Sequence, residues 1–415
     1  MNSSLAALNA LNFFMADVQA GLGPFLGVFL QARHWSPAQI GIVMTIGGLS
    51  GMVVTAPLGA FVDRTVAKRS VVVATALIIA VASTAILVWP NFAVVTTAQI
   101  VTGIAGAAVG PAIAAITLGL VRQQGFPHQL GRNEAFNHSG NVVAALLAGI
   151  SGYFFGLGAV FVVLAVMAVF SSAATLGIDA RRIDHRAARG AAEGDVAVAK
   201  FSVLLQSKEL IVLGITLTLF HLGNAAMLPL LGQAMVAHEG ANPSASTAAT
   251  IVIAQLTMVP MALFAARLAE DRGYWIVFLL ALVALPIRGV TASLVTEQWG
   301  LVPVQILDGV GAGLLSVAVP GLVARILAGT GHVNAGLGVV MTLQGVGAAL
   351  STTVGGIVAE RFGYPAAFLA LGAIAAAALA LWVLARPFMT AVGTGSQSTS
   401  SRNKRGAMRR SLASR

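Results

Sequence analysis

Apolar runs of about twenty residues follow one another along most of the chain, separated by short polar breaks. At 1.5 Å of rise per residue, each run is long enough as a helix to cross a hydrocarbon layer about 30 Å thick. Twelve such runs are read, near 7–31, 39–62, 70–89, 92–121, 134–156, 158–178, 211–236, 245–266, 275–295, 300–325, 335–358 and 365–386. The pattern predicts an all-α polytopic membrane protein of about twelve transmembrane helices. The first run has no cationic leader, lacks a convincing cleavage site and holds Asp17 in its middle. It is therefore expected to stay as a spanning helix and not to be removed as a signal peptide.

The longest polar stretch, about 179–210, divides the runs six and six. This gives an expected layout of an N-terminal bundle over 1–178, a central loop over 179–210, a C-terminal bundle over 211–388 and a disordered basic tail over 389–415. The halves also resemble each other. Gln99, Thr102, Gly103 and Ala107 of the fourth run match Gln305, Asp308, Gly309 and Gly313 of the tenth, 206 residues on. Gln19, Pro24, Leu26 and Gly27 of the first match Asn224, Pro229, Leu231 and Gly232 of the seventh, 205 residues on. Because six is even, the two halves keep one orientation, as a parallel repeat. Such halves place a binding site near the bilayer midplane, at their interface, and rock about it.

Composition sharpens the class. The chain is 57% hydrophobic and 9% charged, far below the charge of soluble domains. Its net charge of +10 is asymmetric. Arg64, Lys68, Arg69, Arg122, Arg132, the arginines between 181 and 189, Arg267, Arg272 and Arg325 fall in loops of one side, while the other side has only Arg33 and Arg361. By the positive-inside rule both termini are cytoplasmic, and the basic tail is a topology anchor against anionic lipid, with no nucleic-acid partner expected. The chain has no cysteine, which excludes disulfides, iron–sulfur clusters and thiol catalysis.

The loop after the second run reads GAFVDRTVAKRS from Gly59. Its Gly-x-x-x-Asp-Arg core followed by Lys68 and Arg69 resembles the signature between helices 2 and 3 of the major facilitator superfamily. A degenerate copy, RLAEDRG, holds Asp271 and Arg272 between the eighth and ninth runs, where that family repeats it. The resemblance extends over nearly the whole chain. It implies two six-helix bundles, secondary transport, and a cytoplasmic latch formed by Gly59, Asp63, Arg64, Lys68, Arg69, Asp271 and Arg272. Two departures limit it. Many proton-coupled members have an arginine where this chain has Gln99, so a relay built on that arginine is not carried over. Drug antiporters tend to have a Gly-Pro signature in helix 5, and the fifth run has no proline, which weakens that subgroup.

An ionisable group in hydrocarbon costs at least a few kcal/mol and is a functional candidate by default. Asp17 lies roughly 13 Å deep. Burial penalises its charged form, which suits it to carry a proton; the alternative is a carboxylate satisfied by Asn12 or Gln19. Glu134, Asn137, His138 and Asn141 share one face of the fifth run, which must meet protein or water. His138 is available as a proton partner of Asp17 if their helices adjoin, or as interhelical glue. His221 and Asn224 share a face of the seventh run. Asp308 and Arg288 lie at similar depth, either as a structural ion pair or with Arg288 open to an anionic substrate. Proton coupling is thus assigned to Asp17, His138 and Asp308, and substrate contact to Gln19, Gln99, Asn137, Asn141, His221, Asn224, Gln305 and Arg288.

No phosphate-cradling loop, zinc motif or nucleophile elbow occurs, and an aspartyl protease built on Asp17 and Asp308 lacks that class's Gly-x-Gly-Asp. Neither enzyme activity, cofactor nor metal is expected. A transporter-like sensor would call for a large extra cytoplasmic domain, which the loop and tail do not supply. The sequence predicts a monomeric secondary transporter of the bacterial inner membrane, moving a small organic molecule by proton-coupled efflux. The runner-up is a proton-coupled symporter importing a small organic anion or metabolite.

Overall fold

The computed structural model describes residues 3–185, 187–189, 207–237, 242–295, 298–327, 333–387 and 389. The expected tail, apart from Met389, and residues 190–206 of the central loop lie outside them. Among the described residues the chain is helical and has no strand.

In the N-terminal half, α1 (Ser3–Ala16) and α2 (Leu22–Gln31) form one span interrupted by a π-helical turn, Asp17–Gly21. Then follow α3 (Pro37–Arg64), α4 (Lys68–Val88), α5 (Phe92–Phe155) and α6 (Gly158–Leu176). In the C-terminal half, α7 (Lys208–Asn224) and α8 (Met227–Ala237) again share a span, followed by α9 (Pro243–Arg272), α10 (Tyr274–Ser293), α11 (Leu301–Ile326), α12 (Val333–Phe362) and α13 (Tyr364–Leu384). Eleven helices among the described residues are long and apolar enough to cross a membrane. The one expected run not among these eleven, the fifth at 134–156, is the second arm of α5. That 64-residue helix turns an elbow at Arg122, whose φ of 56° is non-helical, so two spans are joined without a loop. Polar residues at 137–141 lower the mean hydropathy of the second arm.

Local chemistry explains the starts and turns. Ser36 and Gln39 form a reciprocal capping box with Pro37 in the first turn of α3, while Asn91 and Asn242 accept from the first amides of α5 and α9. Gly156 and Gly363 end α5 and α12 with φ near +81° and +84°, a conformation that costs a residue without Cβ nothing. They lie 207 residues apart, so the same turn recurs at the repeat spacing.

Buried apolar residues form two cores, one built from residues 8–188 plus Ala248 and one from residues 210–389. Large residues such as Val81 and Val169 point outward at 70% and 60% exposure, which a lipid-facing surface accommodates. The start of the expected central loop is not loose. Ile178, Ile183 and Ala188 are buried in the N-terminal core, Asp184 pairs with Arg122 at 3.3 Å, and its amide donates to the Gly119 carbonyl at 2.9 Å.

The two bundles meet at one end. The Thr45 hydroxyl donates to the Ala349 carbonyl at 2.6 Å and lies 2.7 Å from that of Thr353. Gly41 packs on the Thr352 carbonyl, Gly356 on Pro37, and Gly149 and Gly152 on Ala248 and Ser244 of α9. Small residues let these backbones approach closely. Toward the opposite end Gly59, Gly106, Gly110 and Gly338 face open space. Gly47 and Gly51 pack against Gln99 and Gly103, whereas a Cβ added at Gly106 or Gly110 would meet nothing within 4 Å.

Candidate functional site

The π turn puts Asp17 at the middle of the first span, 4% exposed, with Oδ2 lacking any hydrogen-bond partner. A π turn inserts an extra residue and releases the regular amide ladder, and such turns recur at functional sites. Neither Asn12 nor Gln19 satisfies the carboxyl. Asn12 instead donates to the Leu8 carbonyl at 2.8 Å. Helix α1 does adjoin the second arm of α5, where Gly140 packs on Phe13 and Ala16, but no hydrogen bond joins Asp17 to His138, whose Nδ1 is also buried without a partner.

Two cavities flank this turn. One, about 450 Å³, lies between the turn, α3 and the first arm of α5, and its polar walls are Gln19, Thr55, Gln99 and Thr102 among glycines and Met52. The other, about 190 Å³, lies under the closed end and joins Asp17 and Asn141 to Gln255 of the opposite bundle. Asn141 donates to Asn137 at 3.2 Å, so these two expected contact residues hold each other. Glu134 is exposed, and Asn133 is buried in a chain running from Asn9 through Gln129 and Asn133 to Thr117, with links of 2.8, 2.9 and 2.9 Å.

In the C-terminal bundle Arg288 and Asp308 form an ion pair at 2.8 Å, and the same guanidinium nitrogen donates to Asn224 at 2.5 Å. His221 is half-buried and meets the Phe220 ring edge-on, centroids 5.4 Å apart. Arg288 is 1% exposed, with Nε and Nη2 lacking acceptors. Gln305, the repeat counterpart of Gln99, is fully buried with both amide atoms unpartnered. One amide therefore faces a cavity, while its counterpart is sealed inside a bundle.

The expected latch residues lie at the end opposite the closed one. Lys68 is fully buried and donates from Nζ to the carbonyls of Val62 and Thr65, both at 2.8 Å, capping the end of α3. Arg69 donates to the Ile178 carbonyl, tethering the start of the central segment. Asp63 and Arg64 end α3, and Asp271 and Arg272 end α9, where both are exposed. Sequence reasoning missed Gln129 and Asn9, whose partners are remote in sequence, and Gln255, one amide in an apolar span.

Two bundles of membrane-length helices that meet at one end and hold buried polar side chains suit a membrane transporter. The Major Facilitator Superfamily model matches residues 4–301, and the chain belongs to that family. It is 44% identical over 386 residues to an uncharacterized MFS-type transporter of Mycobacterium tuberculosis in two strains, covering 92% of each sequence. It is similar in fold to the crystal structure of the nucleoside transporter NupG, with a TM-score of 0.74 at 15% identity, and to a single-substitution variant of NupG, with a TM-score of 0.76 at 14% identity. Each of these alignments covers 92% of this chain and 99% of the other.

Proposed function

We propose that this protein is a monomeric, proton-coupled secondary transporter of a bacterial inner membrane. It exports a small, largely uncharged organic molecule by alternating access, and Asp17 carries the proton. The observation that supports this best is Asp17 itself: a carboxyl at the break in the first span, buried and without a partner, next to a cavity whose polar walls are neutral amides and hydroxyls. A carboxylate left unpaired in such surroundings is costly, and protonation relieves that cost. Gln19 and Gln99 are the substrate contacts this reading favours.

The cluster of basic loop residues lies at the open end, which the positive-inside rule assigns to the cytoplasm together with both termini. This conformer then faces inward, and the bundles are 1–178 and 211–388, joined by 179–210. The import reading drew on Arg288 as an anion-binding group. Its pairing with Asp308 and Asn224 leaves that charge compensated, which removes the support for an anionic substrate.

The test is growth of an efflux-deficient bacterium expressing the protein across a panel of toxic compounds and metabolite analogues, beside Asp17→Asn at matched membrane abundance. Protection that the variant loses supports export through Asp17. Heightened sensitivity of the expressing strain means import and overturns the direction.

A further inference from the structure

The second arm of α5 and helix α9 run antiparallel and meet in rungs. Gly152 packs on Ser244, and one turn on Gly149 packs on Ala248, so closely that an added Cβ would clash. The same stripes continue inward through Ala145 and Asn141 on α5 and through Ile251 and Gln255 on α9, at spacings of three and four residues. These last four residues, with Asp17, line the 190 Å³ cavity, the first open space below the zipped contact.

Of the cavity's three polar side chains, Asn141 is engaged with Asn137, and the Asp17 Oδ2 has no partner. The third, Gln255, is half-buried and makes no hydrogen bond among the described residues. It is also the single polar side chain that the C-terminal bundle brings to this cavity, beside Leu228 and Ile251. Its rung lies seven residues beyond Ala248, roughly 10 Å along the helix. Parting the rungs must carry Gln255 away from Asp17, because the two stand on different bundles.

We infer that Gln255 is a positioning residue which completes the Asp17 site from the opposite bundle when the closed end is shut, and uncovers it when that end opens. The inference rests on the proton-carrying role proposed for Asp17 and adds what ties that group to the position of the bundles. Other titratable groups on the packed elements stand apart. His138 is one turn from Asn141 and is not a wall of the cavity, Glu134 is exposed a turn further on, and Glu270 and Asp271 lie about four turns from Gln255 at the far end of α9.

The test uses the full chain in proteoliposomes and a hydrophobic carbodiimide, which reacts with protonated carboxyl groups; labelling at Asp17 is read by peptide mass spectrometry. Because the chain has no cysteine, Thr45→Cys with Thr353→Cys supplies one disulfide that locks the closed end, where the two hydroxyls stand 2.7 Å apart. Locking is expected to slow Asp17 labelling about tenfold, reversibly with reductant, and adding Gln255→Ala to bring the locked protein within about threefold of the unlocked one. Protection that persists in Gln255→Ala, or a lock that never protects Asp17, overturns the inference. Gln255→Leu keeps the bulk and removes the amide. It is expected to move the pH of half-maximal labelling by about half a unit or more, and an unchanged profile overturns the positioning role. The readout needs no transport: gating by Gln255 in a protein whose transport survives Asp17→Asn supports this inference while removing the proton-carrying role.

Discussion

Breaking the Arg288–Asp308 pair from its two sides should cost unequal amounts. Arg288 is 1% exposed, and two of its three nitrogens already lack acceptors, so Asp308→Asn leaves a sealed cation with Asn224 and a neutral amide as its company. Removing one partner of a buried pair typically costs 3–5 kcal/mol, and this variant is expected toward the upper end, about 4 kcal/mol. Arg288→Met leaves a carboxylate whose side chain is 17% exposed and can recruit water, so about 2 kcal/mol is expected. Replacing both by Met and Leu removes the charges together and should return to within about 1–2 kcal/mol of the parent. Titration of the purified protein with sodium dodecyl sulfate, followed by tryptophan fluorescence, measures all four corners of the cycle; Trp275 and Trp382 report on this bundle, where the Trp382 indole N–H donates to the Trp275 backbone carbonyl at 3.2 Å. A double variant less stable than either single one would refute the reasoning, as would two single variants costing under about 1 kcal/mol each.

Three further outcomes follow from the packing. Gly356→Leu places a branched side chain against the Pro37 carbonyl and should wedge the closed end apart, so that disulfide formation between cysteines at 45 and 353 falls several-fold relative to the Gly356 parent. Gln129→Leu removes the centre of the buried amide chain and strands Asn9 and Asn133, and should lower stability by about 1–3 kcal/mol in the same detergent titration. Lys68→Met removes the cap on α3 and should cost about 1–3 kcal/mol while leaving Arg69 at Ile178; a Lys68→Met protein as stable as the parent would mean that the two carbonyls find water.

The spans, their two-fold repetition and the family signature were legible because hydrophobicity, glycine spacing and short motifs are local properties of the chain. The approach of Arg288 to Asp308 was legible too, since depth along a spanning helix follows from counting residues, although counting left open whether they paired. Asp17 was singled out by its cost in hydrocarbon, but nothing in DVQAG announces a π turn, which packs on α5 and α6. The elbow at Arg122 was hidden as well, because a single positive φ in a non-glycine residue leaves no mark on the local sequence, and the contacts beside it, of Gly119 with Ile183 and of Arg122 with Asp184, join residues remote in the chain. Gln129 and Gln255 escaped for the same reason. The Asn9 partner of Gln129 lies 120 residues away, and the cavity that Gln255 lines is completed by residues of the other bundle. The matched glutamines show the limit of the repeat, since Gln99 lines a cavity and Gln305 is sealed.

The most direct test of the central claim is movement of a compound identified by the growth panel, in proteoliposomes with an imposed pH gradient. The account predicts accumulation against the compound's own gradient, driven by protons moving the opposite way, and loss of that accumulation in Asp17→Asn while downhill exchange of the compound continues. Gradient-driven accumulation that survives Asp17→Asn at full rate would contradict it.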